Sequence, residues 1–516
     1  MAQRSYPQRL PVRALETPRD EYVGKRQVWA DLELLYRGGH ALRARADRFL
    51  LPRPRELREV YAARLARFTY QNILGTALAW YESAMFEREP AVNVEPSDEY
   101  WVAFLENCDR AGASFTEFFR GVLRDLMLYG VAYVLVDLPR VEGAEILTLA
   151  DQRAMGALDA YLVRYSPLQV VNWSVAEDGQ LDWVVVDTSY EVREPFAEAA
   201  VVDRWHVFTR SNYAVYEARR LESGERAREA VLVAEGAHAL SGAGRVPMRR
   251  FVMPDALWLA DRVYLHALAH LNLQNAYYWG LTMGCLPVPV IIGEYSEPPV
   301  VSETAYIHLP EPGSRFEYAE PSGRTYEVSA QEIQAIREEM YRQLYLQAQG
   351  RSSAATPSAQ SGYSKELDMA PARDVLRALG DMLRNHMRVV IEDVATARGD
   401  QVTVDIRGFE FTEGDDPDQI KAAAAALELG IPSATLEREI QKRIARYLLR
   451  DANQSVIRAV EAEIDAAPTR EQRQAAAEEA ARRRIAESLS AFAAGVSDQE
   501  REPGLSEGGT VAGVPA

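Results

Sequence analysis

A chain of 516 residues is roughly three times the ~150-residue domain prior, so several lobes and a large apolar core are expected. A formal net charge of -18 excludes a broadly basic coat that binds nucleic acid by neutralising phosphates, though it leaves room for a surface that touches phosphate without gripping it. The opening residues (MAQRSYPQRLPVR) lack the apolar core of a secretory signal, and the longest apolar passage, residues 279–293, is broken by glycine and proline, so no ordinary spanning helix is expected and the chain reads as soluble.

The first helical region covers about residues 21–85 and is interrupted by the turn LLPRPRE. Its second part (YAARLARFTYQNILGTALAWYESAMF) is amphipathic. An extended segment (REPAVNVEP) follows, then a helix over residues 114–129 that passes through Gly130 into VAYVLVDLP, a nearly continuous apolar strand of the kind covered on both faces. Residues 159–252 supply further strand-like pieces, separated by hairpin-like turns such as EDGQ, and read as a mostly antiparallel sheet. The N-terminal half is therefore a mixed α+β lobe.

An apolar-rich helix is predicted over residues 255–283 and breaks at Gly284. From 287 to 328, prolines, glycines and β-branched or aromatic residues favour short strands joined by turns. Ser329 with Glu332 three residues on has capping-box spacing and opens a helix to about Gln349. Residues 350–363 (GRSSAATPSAQSGY) hold almost nothing that could enter a core and read as a mobile loop. The next helix, 364–398, carries Pro371 near its start, which removes one amide donor and must cap or kink the first turn. Its apolar face is Val375, Leu376, Leu379, Met382, Leu383, Met387, Val390, Ile391 and Val394. After one or two strands in QVTVDIRGFEF, Asp416 and Pro417 start a run of helices rich in alanine, glutamate and arginine, and residues 496–516 read as a disordered tail.

Few residues point to chemistry. Cys108 and Cys285 match no zinc or redox spacing, which suits a reducing compartment and structural burial. His266 and His270 lie four apart on a helix, but HALAH lacks the glutamate of a hydrolytic zinc motif, so packing or an intersubunit contact is the simpler role. Glu410, Glu413, Asp415, Asp416 and Asp418 do not have calcium-loop spacing, and capping accounts for Asp416 and Asp418. No phosphate-binding loop, dinucleotide fingerprint or nucleophile elbow is present, so no enzyme, cofactor or metal is expected. Arginine carries nearly all the basic charge, a skew that interfaces or a coding bias would each produce.

The order helix, β unit, helix, polar loop, long helix, together with LLPRPRE, YAARLARFTYQNILGTALAWYESAMFEREPAV, DRAGASFTEFFRGVLRDLMLYGVAYVLVDLP and YLVRYSPLQVVNW, resembles the portal proteins of tailed bacteriophages, in a branch long catalogued only as an uncharacterised domain. The resemblance covers most of residues 21–400. It implies an α+β portal fold that assembles into a closed ring, usually of twelve subunits. Its parts would be a wing (1–254), a first stem helix (255–285), a β-rich clip (286–328), a second stem helix (329–349), a tunnel loop (350–363), a long wing helix with strands (364–415), a helical crown (416–495) and a tail (496–516).

That resemblance further implies a channel at one capsid vertex through which double-stranded DNA enters and leaves, in a virion assembled in the host cytoplasm. The implied partners are the large terminase subunit, the major capsid and scaffold proteins, and later the head-tail connector or adaptor proteins, with no membrane. Tunnel-loop positions nearest the DNA would be Arg351, Ser352, Ser353, Thr356, Ser358, Gln360, Ser361 and Lys365. Partner-binding positions on the clip would be Tyr295, Glu297, Tyr306, His308, Arg315, Tyr318, Arg324 and Tyr326. A structural adaptor or scaffold through which no DNA passes is the alternative, and an enzyme built from scattered carboxylates and histidines is a third.

Overall fold

In the computed structural model the chain forms two compact units, Met1–Phe411 and Thr412–Ala516. The structure describes residues 6–139, 149–193, 195–196, 199–219, 227–284, 288–292, 313, 315–319, 323–347, 362–409, 417–429, 431, 433–449, 454–468 and 470–499.

The first unit opens with β1 (Arg9–Pro11), α1 (Asp20–Arg37) and two short helical turns, Gly39–Arg43 and Ala46–Phe49. Helices α2 (Arg58–Ala66) and α3 (Ile73–Met85) follow, the latter capped by Asn72, whose side chain accepts from the Gly75 amide. Strand β2 (Ala91–Glu95) leads to α4 (Glu99–Glu106), capped by Asp98, and α5 (Phe115–Tyr129), capped by Ser114.

Gly130 ends α5 in the left-handed conformation (φ +72°), and a Cβ there would come within 2.8 Å of the Trp258 ring. A glycine meets both the conformation and the close approach. Beyond it runs β3 (Val131–Asp137), six of whose seven residues are buried, as its continuous apolar sequence predicts.

Strands β4 (Tyr161–Tyr165), β5 (Val170–Val175), β6 (Leu181–Asp187), β7 (Tyr190–Val192), β8 (Ala200–Thr209), β9 (Tyr213–Arg219), β10 (Glu229–Gly236) and β11 (Met248–Val252) complete the lobe. They do not form one sheet. A seven-stranded antiparallel sheet has the order β1-β10-β9-β8-β6-β5 with β7 beside β8, while β4 and β11, the two ends of the expected sheet, pair instead with β3. The reason is burial: β3 is apolar on both faces and needs neighbours at both edges, a demand that spacing between strands does not reveal.

The chain then enters α6 (Leu259–Gly284), the antiparallel pair β12 (Val288–Ile292) and β13 (Arg315–Ala319), α7 (Gly323–Gln343) and α8 (Gly362–Arg398). All but one of the nine apolar positions expected on α8 are buried, Met382 being half-buried. Pro371 lies inside this helix. Strand β14 (Thr403–Arg407) returns to pair with β2.

Arginine pairs with carboxylate inside this unit. Asp393, 1% exposed, accepts from Arg249 at 2.7 Å and lies 2.9 Å from Arg245, and buried Arg398 reaches Asp400 at 2.7 Å with its guanidinium 3.4 Å from the centre of the Tyr100 ring. The planar fork that suits these bidentate contacts explains part of the arginine skew from within the chain.

The second unit is helical: α9 (Pro417–Glu428), α10 (Ala434–Leu448), α11 (Gln454–Ala466) and α12 (Arg470–Gln499). Proline stands at the first position of α9 as expected, and Ser433 caps α10 by accepting from the Leu436 amide. Helices α10 and α11 are joined by Arg446–Glu461 and Lys442–Asp465 ion pairs.

Candidate functional site

Helix α6 is 26 residues long, about 39 Å at 1.5 Å per residue. Its first half is anchored. Leu259, Ala260, Val263, Ala267 and Leu271 are buried in the main core, and the indole of Trp258, just before the helix, donates to the Leu128 carbonyl at 3.0 Å.

Polar side chains fix its register against the first helices. Asn275 Oδ1 accepts from the Thr69 amide at 3.0 Å while its Nδ2 donates to the Thr69 carbonyl at 2.8 Å, so one side chain satisfies both backbone groups of one residue. Tyr264 donates to Asp31 Oδ2 at 2.7 Å, and Asp31 also pairs with Arg48. Nearby, Gln274 and Tyr70 line a cleft of about 530 Å³ with Arg67 and Trp279, and their Oε1 and Oη make no hydrogen bond within the described residues, the kind of atoms that water commonly satisfies.

Helix α7 runs antiparallel to α6. At one end Tyr326 donates to the Gly280 carbonyl at 3.0 Å and meets Tyr277 edge to face; at the other, Arg262 donates to the Tyr345 hydroxyl at 2.7 Å. A Cβ on residue 280 would stand 3.1 Å from the Tyr326 ring, so glycine lets the helices close at that level. The β12–β13 ribbon is carried where the two helices meet at Gly280 and Tyr326, with Val288 opposite Ala319 and Ile292 opposite Arg315.

The expected start of α7 needs correcting. The helix begins at Gly323, six residues before Ser329, so TYEVS is helical and Ser329 lies inside the helix. Strand propensity in Thr325, Tyr326 and Val328 is overridden because Tyr326 finds its partners on α6. Arg324 and Tyr326 thus belong to the helical pair instead of the β unit.

Helix α7 ends at Gln343 in a Schellman arrangement: the Leu346 amide donates to Tyr341 O at 2.8 Å and the Tyr345 amide to Arg342 O at 3.1 Å. Tyr345 adopts φ +59°, a conformation that usually calls for glycine. Its side chain explains the exception, because Arg262 both hydrogen-bonds the hydroxyl and lies 4.8 Å from the ring centre. The buried Tyr81 hydroxyl satisfies the Leu344 carbonyl at 2.7 Å.

Electrostatics here are those of packing. Burial first and then Arg337 push the His270 imidazole below its usual range, while the side-chain bond from Arg342 holds the Glu339 carboxyl down. His270 is 1% exposed and its Nε2 has no hydrogen-bond partner among the described residues. No group of three or more His, Cys, Asp or Glu side chains among the described residues is placed to hold a metal ion. Cys108 is buried, and burial raises its thiol to about 12. Among the described residues no helix is long and apolar enough to cross a membrane.

Of the partner-binding positions expected on the β unit, Arg315 and Tyr318 lie on β13, with Arg315 exposed. Tyr295, Glu297, Tyr306 and His308 lie outside the described residues, as do Arg351, Ser352, Ser353, Thr356, Ser358, Gln360 and Ser361 and the acidic residues Glu410, Glu413, Asp415 and Asp416. Cys285 also lies outside them. Lys365 is in the first turn of α8. Sequence reasoning missed Arg262, Asn275, Gly280 and Tyr345. The polar run of Asn272, Gln274 and Asn275 is the signal that marks where α6 meets the Thr69 backbone.

A family profile described as a domain of unknown function, DUF4055, matches residues 264–392, which spans most of α6, the ribbon, all of α7 and most of α8. The chain is also similar to a solved chain described as the neck of an empty GTA particle computed with C6 symmetry. That similarity has 11% sequence identity and a TM-score of 0.35 over 72% of this chain and 88% of the other. A comparison with curated proteins finds no match.

Proposed function

We propose that this chain is the subunit of a portal ring of a tailed-phage type, a non-enzymatic conduit for double-stranded DNA at one capsid vertex. The observation that carries the reading is the antiparallel pair α6 and α7, bearing a two-stranded ribbon at one end and followed by the 37-residue helix α8, which returns its apolar face to the main core. It supports the stem, clip and wing-helix order that the sequence resemblance implies. In this reading the ribbon faces the large terminase subunit and later the connector proteins, and residues 350–363 with Lys365 face the DNA.

Exposed apolar side chains on the same pair support assembly. Leu265 is 71% exposed and Val328 58%. In this reading neighbouring copies cover these side chains.

Shortening residues 350–363 tests the conduit role. Rings that still assemble but package or retain less DNA are expected; normal DNA content would overturn the assignment of that segment.

A further inference from the structure

The acidic balance of the chain hides a strongly basic segment. Residues 37–67 hold nine arginines and three acidic residues, whereas the remainder holds 49 basic and 73 acidic residues. Three of the nine are committed within the chain: Arg37 to Glu33, Arg48 to Asp31 and Arg64 to Glu56. The other six, Arg43, Arg45, Arg53, Arg55, Arg58 and Arg67, are exposed and make no ion pair among the described residues. Arg43 donates to the Ala66 carbonyl and Arg67 lies over the Trp279 ring at 5.6 Å, contacts that hold a guanidinium in place without neutralising it.

A complementary surface starts from the opposite end of α3. The basic segment enters that helix through Asn72, whose Nδ2 donates to the Tyr36 carbonyl at 2.8 Å; an acid-rich stretch leaves it after Phe86. That stretch presents Glu87, Glu95, Glu99 and Glu106, all exposed and without an ion pair among the described residues. Helix α5 lies antiparallel to α3, with Arg124 bonded to Glu82 and Arg120 over Phe86, which carries α4 and its Glu99 and Glu106 beyond the same end through the Phe104–Phe115 contact. Thirteen residues of helix separate the two points of departure by about 20 Å.

We propose that the arginine face of one copy docks on the glutamate face of a second copy, head to tail. Two different faces of opposite sign on one subunit are what a heterologous contact requires, and such a contact closes into a ring when its rotation allows. Arginine pairs with carboxylate in a fixed bidentate geometry, which makes the contact directional. The proposal rests on the ring reading and adds to it which surfaces meet.

The test uses two triple variants of the full chain, Arg45→Glu/Arg55→Glu/Arg58→Glu and Glu87→Arg/Glu95→Arg/Glu106→Arg, with circular dichroism and melting to confirm folding. Each alone should associate about a hundredfold more weakly than the unaltered chain in low salt, because like charges then face each other. Mixed one to one, they should assemble again in alternation, since each reversed face meets its complement. Raising salt to about 0.5 M should weaken the unaltered assembly and the mixture alike.

Rings formed by either folded variant alone, or no recovery on mixing, would overturn the pairing and leave the ring reading intact. Loss of duplex-DNA binding by the arginine variant with assembly unchanged would overturn it too, reassigning the face to phosphate. An unaltered chain that stays monomeric at every salt concentration would remove both the pairing and the ring.

Discussion

The Tyr326 hydroxyl donates to the carbonyl of Gly280 at 3.0 Å, and its ring would stand 3.1 Å from a Cβ at 280, tighter than ordinary van der Waals contact. This contact holds the two helices together at the end that carries the ribbon. At the other end of the pair Arg262 bonds Tyr345, while Asn275 ties α6 to the Thr69 backbone on its other side.

Gly280→Val should therefore separate the helices at that level and destabilise the first unit by about 1 to 3 kcal/mol, the usual range for overpacking. Tyr326→Phe should cost only about 1 kcal/mol, the loss of one hydrogen bond. Denaturant melts of both variants check the ranking, and an unchanged Gly280→Val midpoint would contradict it.

Tyr345 sits at φ +59° because Arg262 holds its side chain, so backbone strain and side-chain anchoring oppose each other. Tyr345→Gly should be net destabilising in the unaltered chain. In an Arg262→Ala background the same change should become neutral or stabilising, by up to about 1 kcal/mol, because only the strain is left to relieve. A double-mutant cycle measures this, and simple additivity would show that the two residues do not act together.

Asp393 is buried and shared by Arg245 and Arg249. Arg249→Ala should cost about 3 kcal/mol, since it strips a buried carboxylate of its bidentate partner. Arg249→Lys should recover part of this but not the fork geometry. Thermal unfolding of both variants beside the unaltered chain checks this: Arg249→Lys as stable as the unaltered chain would mean that only net charge matters, and Arg249→Lys no more stable than Arg249→Ala would mean that charge contributes nothing.

His386 stacks on Phe251 with ring centres 4.0 Å apart, and burial lowers its imidazole to about 4. The unfolded chain takes up a proton near pH 6.5 and the folded one only near pH 4, so stability falls as pH drops through that window and no further below it. Asp125, buried beside Arg164 and pushed up to about 6, works the other way between about pH 4 and 6. The informative comparison is thus His386→Phe against the unaltered chain. At pH 4 the variant should gain up to about 3 kcal/mol relative to its standing at pH 7, and a pH-independent difference would contradict the assignment.

Patterns local to one element were legible in the sequence. The apolar face of α8, the continuous strand β3 and the proline that starts α9 are each written in residues that follow one another. Contacts between distant segments were not. TYEVS reads as a strand until Gly280 is known to face Tyr326, and β4 and β11 read as members of one sheet until β3 is seen to need both edges covered. Likewise, nine arginines in residues 37–67 are visible in the sequence, but which six lack a carboxylate depends on tertiary pairing. The positions expected to face DNA, apart from Lys365, lie outside the described residues.

Electron microscopy of the purified chain without partners tests the central claim most directly, through the symmetry of particles viewed along their axis. A closed ring with a central hole of about 20 Å or more, wide enough for duplex DNA, is the predicted result. Particles that are only monomers, dimers or open filaments at low salt would contradict it, and a structural adaptor would then describe the chain better.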